Sequence, residues 1–357
     1  MKLLISLLSL VIIGSPVHSH AAETSVVSHT TQESQTENLA KEEITENPDG
    51  AEVAESDSPE SADVLLKRLS QSLQSLNFST SFVVVKNNHA DPYHWFHGVN
   101  AEKAELEILS LLNGPRRDIL RKDNIVSYIE PELPPYSIYS TQISGPIPNI
   151  LSDDVASLHK SYNFISVGKS RILGRSAQII RIVPNDSNKY GHWLWLDQHT
   201  GLLLKIAIVT KTGQQLEQIQ FTHLDITENP AESLMQLDST ELPKVIDIPE
   251  GYQNQQLSWQ VNWLPQGFEK ISTNRHRITS TKQPVEFALF SDGLVEISVY
   301  VTSSKDKQRA VDYVLDGATV ALNQVNNNFE VSVVGKIPAQ TAKQIADSVT
   351  PTIRAIP

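Results

Sequence analysis

The chain has 357 residues, a formal net charge of −12, 39% hydrophobic residues and no cysteine. At roughly 150 residues per domain, that length accommodates two cores. Without cysteine there is no disulfide scaffold, thiolate zinc site, thiol nucleophile or cysteine-linked lipid anchor, and the acidic balance argues against a nucleic-acid binder, whose phosphate contacts need basic patches.

The chain opens with Lys2 and an apolar run over residues 3–13, which Gly14 and Pro16 interrupt. This run is shorter than the ~20 residues a membrane-spanning helix needs and fits a signal-peptide core. Ser19 and Ala21 supply small residues for cleavage, so residues 1–21 are expected to be removed on export. Between residues 23 and 60 there are eleven acidic residues against Lys41 alone, a balance of −10. With no aromatic residue there, 22–60 is expected to be a disordered acidic tether. The remainder, 61–357, carries only −3.

The first folded region is expected over 61–229. Ser58 and Pro59 read as a helix start, and Leu65, Leu66, Leu69, Leu73 and Leu76 repeat at helical spacing over 59–76. The period then changes to two, with strands at 78–85 and 93–97 joined through Asn87, Asn88 and Asp91. Further strands are expected near 105–112, 116–121, 125–129, 164–167, 177–183, 192–197, 202–210 and 216–226. Together they predict one strongly curved antiparallel sheet with a helix or two against its concave face. A proline-rich crossing over 131–148 is too long for a hairpin turn and reads either as a lid over an elongated apolar ligand or as an ordered cap.

Pro230, Pro243 and Pro249 mark 230–250 as a linker. The second region, 251–357, reads as a small α+β domain. Its strands are expected near 269–277, 285–290, 294–301, 318–324 and 329–335, with helical character at 306–315 and a closing helix that Pro338 opens. Ser291, Asp292 and Gly293 form a hairpin signal between two of those strands.

Motifs for catalysis are missing: there is no His-Glu-x-x-His, Gly-x-Ser-x-Gly, phosphate-binding loop or dinucleotide fingerprint. Asp153, Asp154 and His159 are better read as a helix start than as a catalytic set. His89, His94 and His97 lie close in sequence, but positions 94 and 97 of one strand face opposite ways, so no metal site is expected. Two features stand out. Arg116, Arg117, Arg121 and Lys122 form a basic cluster, paired either with Asp118 and Asp123 or with an anionic ligand or partner. Trp259, Trp263 and Phe268 are an aromatic group serving as core or as partner contacts.

The strings NGPRR at 113–117, YNFISVGKSR at 162–171, SWQVNWLPQGF at 258–268, LFSDGL at 289–294 and VGKIPAQTAK at 334–343 resemble the RseB/MucB family, negative regulators of the sigma-E envelope stress response. The resemblance spans about 62–350; the acidic segment is not part of it. It implies a LolA-like half-open antiparallel β-barrel with packed helices and a hydrophobic pocket, plus a smaller C-terminal α+β domain. It also implies a periplasmic, non-enzymatic protein without cofactor, metal or catalytic residue. Such a protein binds the periplasmic domain of the membrane-spanning anti-sigma factor (RseA/MucA), shields it from site-1 proteolysis by DegS, and is released by lipopolysaccharide or a lipid ligand. On that basis Trp259, Trp263 and Phe268 are expected to shape partner binding, and the four basic residues to meet an anionic lipid or the partner. A LolA-type lipid or lipoprotein carrier without a signalling role is the alternative, and a homo-oligomer is left open.

Overall fold

The computed structural model describes residues 60–352 apart from 132, 149–154, 247–255, 278–283, 305–307 and 327–328. The leader at 1–21, the acidic segment up to residue 59, and Asp153 and Asp154 lie outside the described residues.

Helix α1, Ala62–Ser75, starts later than Ser58 and Pro59 suggest; the Ser61 hydroxyl caps it by accepting from the Val64 amide. Leu65, Leu66 and Leu69 are buried on its inner side. The strands β1 Asn77–Lys86, β2 His89–Val99, β3 Glu105–Leu111, β4 Arg117–Lys122, β5 Ile125–Ile129 and β6 Tyr136–Tyr139 follow as a meander. After the one-turn helix α2, Val155–Leu158, come β7 Tyr162–Ile172, β8 Arg175–Pro184, β9 Gly191–Asp197, β10 Leu203–Val209 and β11 Gln215–Thr227. Asn87 and Asn88 both take positive φ, which makes the β1–β2 turn tight.

All eleven strands form one antiparallel sheet in the order β6-β5-β4-β3-β2-β1-β11-β10-β9-β8-β7. Helix α1 packs against both β2 and β7, six places apart in that order, so the sheet curls around it. Its edges, β6 and β7, do not pair with each other, which leaves the barrel half open. The concave face carries the core, including Phe82, Leu109, Ile180, Leu194 and Phe221. This is the strongly curved antiparallel sheet that the patterning predicts, and the mainly β, half-open barrel with packed helices that the resemblance implies.

The stretch 230–250, expected to be linker, instead opens with a helix, α3 Glu232–Ser239. Its Leu234 and Leu237 are buried against β2 and β3. A Cβ on Gly98 would stand 2.9 Å from Leu234 Cδ1, so glycine on β2 lets the helix approach.

In the second region β12, Trp259–Val261, pairs with β19, Val349–Pro351. The strands β13 Glu269–Arg277, β14 Pro284–Ser291, β15 Glu296–Ser303, β16 Gln308–Asp316, β17 Thr319–Asn326 and β18 Phe329–Gly335 form a second antiparallel sheet, ordered β13-β14-β15-β18-β17-β16. Helix α4, Ala339–Asp347, covers β17 and β18 with Ala342, Ile345 and Ala346. The helical character expected at 306–315 is not found, because the segment is the edge strand β16. Val311, Tyr313, Val314 and Leu315 are all exposed, so no apolar stripe is buried, and β-branched and aromatic residues favour pairing with β17.

Candidate functional site

The curl of the sheet leaves an open cleft between α1, strands β2–β4 and residues 142–148. Leu73, Trp95, Leu109, Ile143, Ile147 and Pro148 make its walls apolar. The proline-rich crossing contains strand β6 and then spans the concave side. Ile143 and Gly145 line the cleft beside Leu109, while Pro146 and Pro148 reach Ile206 and Ile219 on β10 and β11. It therefore forms one wall of the cleft.

One end of the cleft is polar, and strand alternation explains which side chains gather there. His97 on β2 is paired in register with Glu107 on β3, and Glu107 with Arg121 on β4. Arg121 Nη1 lies 2.7 Å from Glu107 Oε1 and 2.8 Å from Glu105 Oε2, and its Nε donates to the Asp123 carbonyl at 2.8 Å. Trp95 Nε1 donates to the other Glu107 oxygen at 2.9 Å. The His97 ring is fixed by stacking on Phe78 and by Nδ1, which lies 2.9 Å from the Leu76 carbonyl; Nε2 stands 3.9 Å from Glu105. His97 first, and Arg121 after it, hold the Glu105 carboxyl below the usual carboxylate range against the opposing effect of burial. His97, Glu105 and Glu107 bring potential metal-ligating atoms within 4.8 Å of one another. Arg121 already supplies a cation to both carboxylates.

The basic cluster does not converge. Arg121 and Arg117 share the concave side, where Arg117 acts electrostatically on Tyr93. Lys122 points the other way and bonds the Asp238 carbonyl at the end of α3. Arg116 precedes β4, is largely exposed and is held by Asp118 at 2.5 Å. Arg116 is thus paired with Asp118, whereas at Asp123 it is the backbone carbonyl that Arg121 engages; among the described residues Arg117 has no carboxylate at ion-pair distance. In the second region, Trp259 and Phe268 are buried, whereas Trp263 is half-buried with its backbone amide on Ser348 Oγ.

A second constellation, absent from the sequence reading, joins the two folded regions. The Ser291-Asp292-Gly293 turn projects from the second sheet toward β7, and Asp292 Oδ2 accepts from the Tyr162 hydroxyl at 2.7 Å. The fully buried Lys189 ammonium lies 3.5 Å from the same carboxylate and donates to the Gln266 carbonyl at 2.7 Å. It also sits over the Tyr162 ring at 4.7 Å. Burial first, then the Asp292 charge, pushes the Tyr162 hydroxyl pKa well up, so the phenol stays a donor. Gly267, at φ +89, packs so closely that an added Cβ would fall 1.8 Å from Ser161 Oγ. At another point of the joint Lys86 bonds Asp316 at 2.6 Å and Lys336 bonds Glu217 at 2.6 Å. Tyr162, Gly267 and Asp292 all fall inside the strings that carry the family resemblance, though nothing in those strings marks the three as partners.

A half-open barrel with an apolar-walled, polar-ended cleft, locked to a small α+β domain, defines a class of two-domain binding protein. Comparison with known proteins makes this specific. The MucB/RseB N-terminal domain family matches residues 61–246 and the MucB/RseB C-terminal domain family matches 253–350. The chain belongs to the MucB/RseB family. It is 31% identical over 298 residues to the sigma-E factor regulatory protein RseB of Salmonella typhimurium, covering 83% of this chain and 92% of that protein. Its identity to the sigma factor AlgU regulatory protein MucB of Pseudomonas aeruginosa is 30% over 304 residues, covering 81% of this chain and 91% of the relative. Among solved structures, the Pseudomonas aeruginosa MucA/MucB complex matches with a TM-score of 0.67 at 27% identity, over 81% of this chain and 98% of the matched one. A crystal structure of MucB with MucA(peri) matches with a TM-score of 0.64 at 29% identity, over the same shares. No helix among the described residues is long and apolar enough to cross a membrane.

Proposed function

We propose that this chain is a periplasmic negative regulator of a sigma-E-type envelope stress response. It binds the periplasmic domain of a membrane-spanning anti-sigma factor of the RseA/MucA kind and protects it from site-1 proteolysis by a DegS-type protease. Lipopolysaccharide or another lipid in the cleft releases it. The observation that carries the reading is that both folded regions match the two domains of one regulator family, members of which have been solved with MucA.

Release follows from linkage. A lipid that prefers the partner-free arrangement weakens partner binding, and the partner weakens lipid binding by the same factor. The apolar walls suit acyl chains. In this reading Arg117, on the concave side, meets the anionic headgroup, and the half-buried Trp263 contacts the partner. The test is capture of the cognate anti-sigma periplasmic domain followed by exposure to the site-1 protease. The reading expects stoichiometric capture and protection that lipopolysaccharide removes. A chain that moves lipid between membranes and captures no anti-sigma factor would be a carrier instead.

A further inference from the structure

The face of the large sheet turned away from the cleft carries an aromatic and cationic patch that the regulator reading does not use. Pairing registers place Ile165, Arg181, Trp193, Ala207 and Gln218 in one cross-strand row over β7–β11. The next row holds Ile179, Trp195, Lys205 and Gln220. Neither row contains a carboxylate. On the opposite face the same strands bury Ile180, Leu194 and Ile206, so these rows lie on the outer face, where Arg181, Trp193, Trp195 and Lys205 are half-buried and Ala207 is buried.

The two indoles lie 6.2 Å apart, with Arg181 over Trp193 at 4.9 Å and Lys205 over Trp195 at 4.7 Å. Beside them on the edge strand, Ile165 and Val167 are 44% and 49% exposed. The positive charge is local. Residues 163–185 contain Lys169, Arg171, Arg175 and Arg181 and no acidic residue, within a folded region of net −3. Arg175 is engaged by Asp197 at 2.6 Å. Arg181 Nε is buried with no hydrogen-bond partner among the described residues, and burial lowers the Lys205 pKa, so an anion beside the Lys205 ammonium favours its charged form.

We infer that the outer face of β7–β10 docks on an anionic phospholipid bilayer. Paired indoles with an apolar body and a polar N–H suit the headgroup boundary, exposed aliphatics beside them enter the acyl edge, and the two cations meet lipid phosphates. The patch is a broad face spread over four neighbouring strands, which fits a planar surface better than an acidic peptide. Held there, the barrel would lie against the membrane while its cleft stays on the other side of the sheet.

The test is sedimentation with vesicles of phosphatidylcholine alone or mixed with phosphatidylglycerol. It uses the chain from residue 22, so that the apolar run at 3–13, expected to be removed on export, adds no vesicle affinity of its own. The inference expects salt-sensitive binding to the mixed vesicles only, with blue-shifted tryptophan emission. Lys205→Glu should weaken it about tenfold or more, since each cation near an anionic surface contributes on that scale. Val167→Glu, at an exposed edge position, reads the same surface if Lys205→Glu does not fold. No vesicle binding, equal binding to both vesicles, or binding unchanged in a folded variant overturns the inference. So does saturable capture of a polyglutamate peptide that mixed vesicles fail to displace.

Discussion

The Tyr162 hydroxyl donates to the Asp292 carboxylate at 2.7 Å across the boundary between the two folded regions, and the buried Lys189 ammonium lies 3.5 Å from the same oxygen. Asp292 Oδ1 meanwhile accepts from the amides of Leu294 and Val295, which fixes the turn that presents the carboxylate. One side chain therefore shapes a hairpin in one domain and anchors it to the other.

Removing the partners of that carboxylate should be graded. Tyr162→Phe deletes one bond to a charged acceptor and should cost about 1.5–3 kcal/mol in urea denaturation. Lys189→Met leaves Asp292 charged and buried without its cation and should cost about 3–5 kcal/mol. Adding Asp292→Asn to Lys189→Met should restore most of that loss, because asparagine keeps the turn's acceptor without the charge. A double variant no more stable than Lys189→Met alone would place the lysine's contribution elsewhere.

Acid sensitivity should trace to His192 on β9. Complete burial, with a smaller contribution from Lys336, lowers its pKa to about 3, so it is neutral in the folded chain. The unfolded chain, with histidine near pKa ~6.5, takes up the proton first. Its contribution is fully present above about pH 6.5 and is lost as pH falls from there toward 3, by up to about 1.4 kcal/mol per pH unit. In His192→Phe this acid arm should flatten in urea melts taken between neutral and acid pH. An unchanged arm would assign it to other groups.

Arg121 should matter as structure before it matters as a ligand contact. It serves Glu105 and Glu107 at once, and both are partly or fully withdrawn from water. Arg121→Met leaves two carboxylates facing each other and should destabilise by about 3–5 kcal/mol, while Arg121→Met with Glu107→Gln recovers part of it.

Arg116 and Arg117 are more open to solvent than Arg121, although Arg116 pairs with the buried Asp118. The pair Arg116→Glu with Arg117→Glu should leave the chain folded at a cost of about 1–3 kcal/mol in thermal melts. It should also raise the lipopolysaccharide concentration needed to release the anti-sigma factor. Unchanged release would remove these residues from lipid sensing.

Much of the fold was legible because it is local. Leucine spacing gave α1, and Asn87 with Asn88 gave the first hairpin turn. Alternation also says that Arg121 and Lys122, adjacent on a strand, must diverge, which splits the basic cluster between the cleft and α3. Helix α3 was hidden by the prolines around it and by its shortness; only Leu234 and Leu237 mark its buried side. Strand β16 reads as helix in isolation because its pairing with β17, and not an apolar stripe, decides its form. The joint was out of reach for another reason. Tyr162 and Asp292 lie 130 residues apart, and nothing in either local pattern announces the other. The gathering of His97 with Glu105 and Glu107 likewise depends on β2–β3 register, whereas the sequence directs attention to neighbouring histidines.

The central claim is that lipid and anti-sigma factor bind this chain in mutual opposition. Isothermal titration of the cognate anti-sigma periplasmic domain into the chain, with and without saturating lipopolysaccharide, tests it most directly. The account predicts tight one-to-one binding that the lipid weakens, and the same factor of weakening when lipopolysaccharide is titrated with the partner already bound. Binding of the partner with an affinity indifferent to the lipid, or no binding of the partner at all, would contradict it.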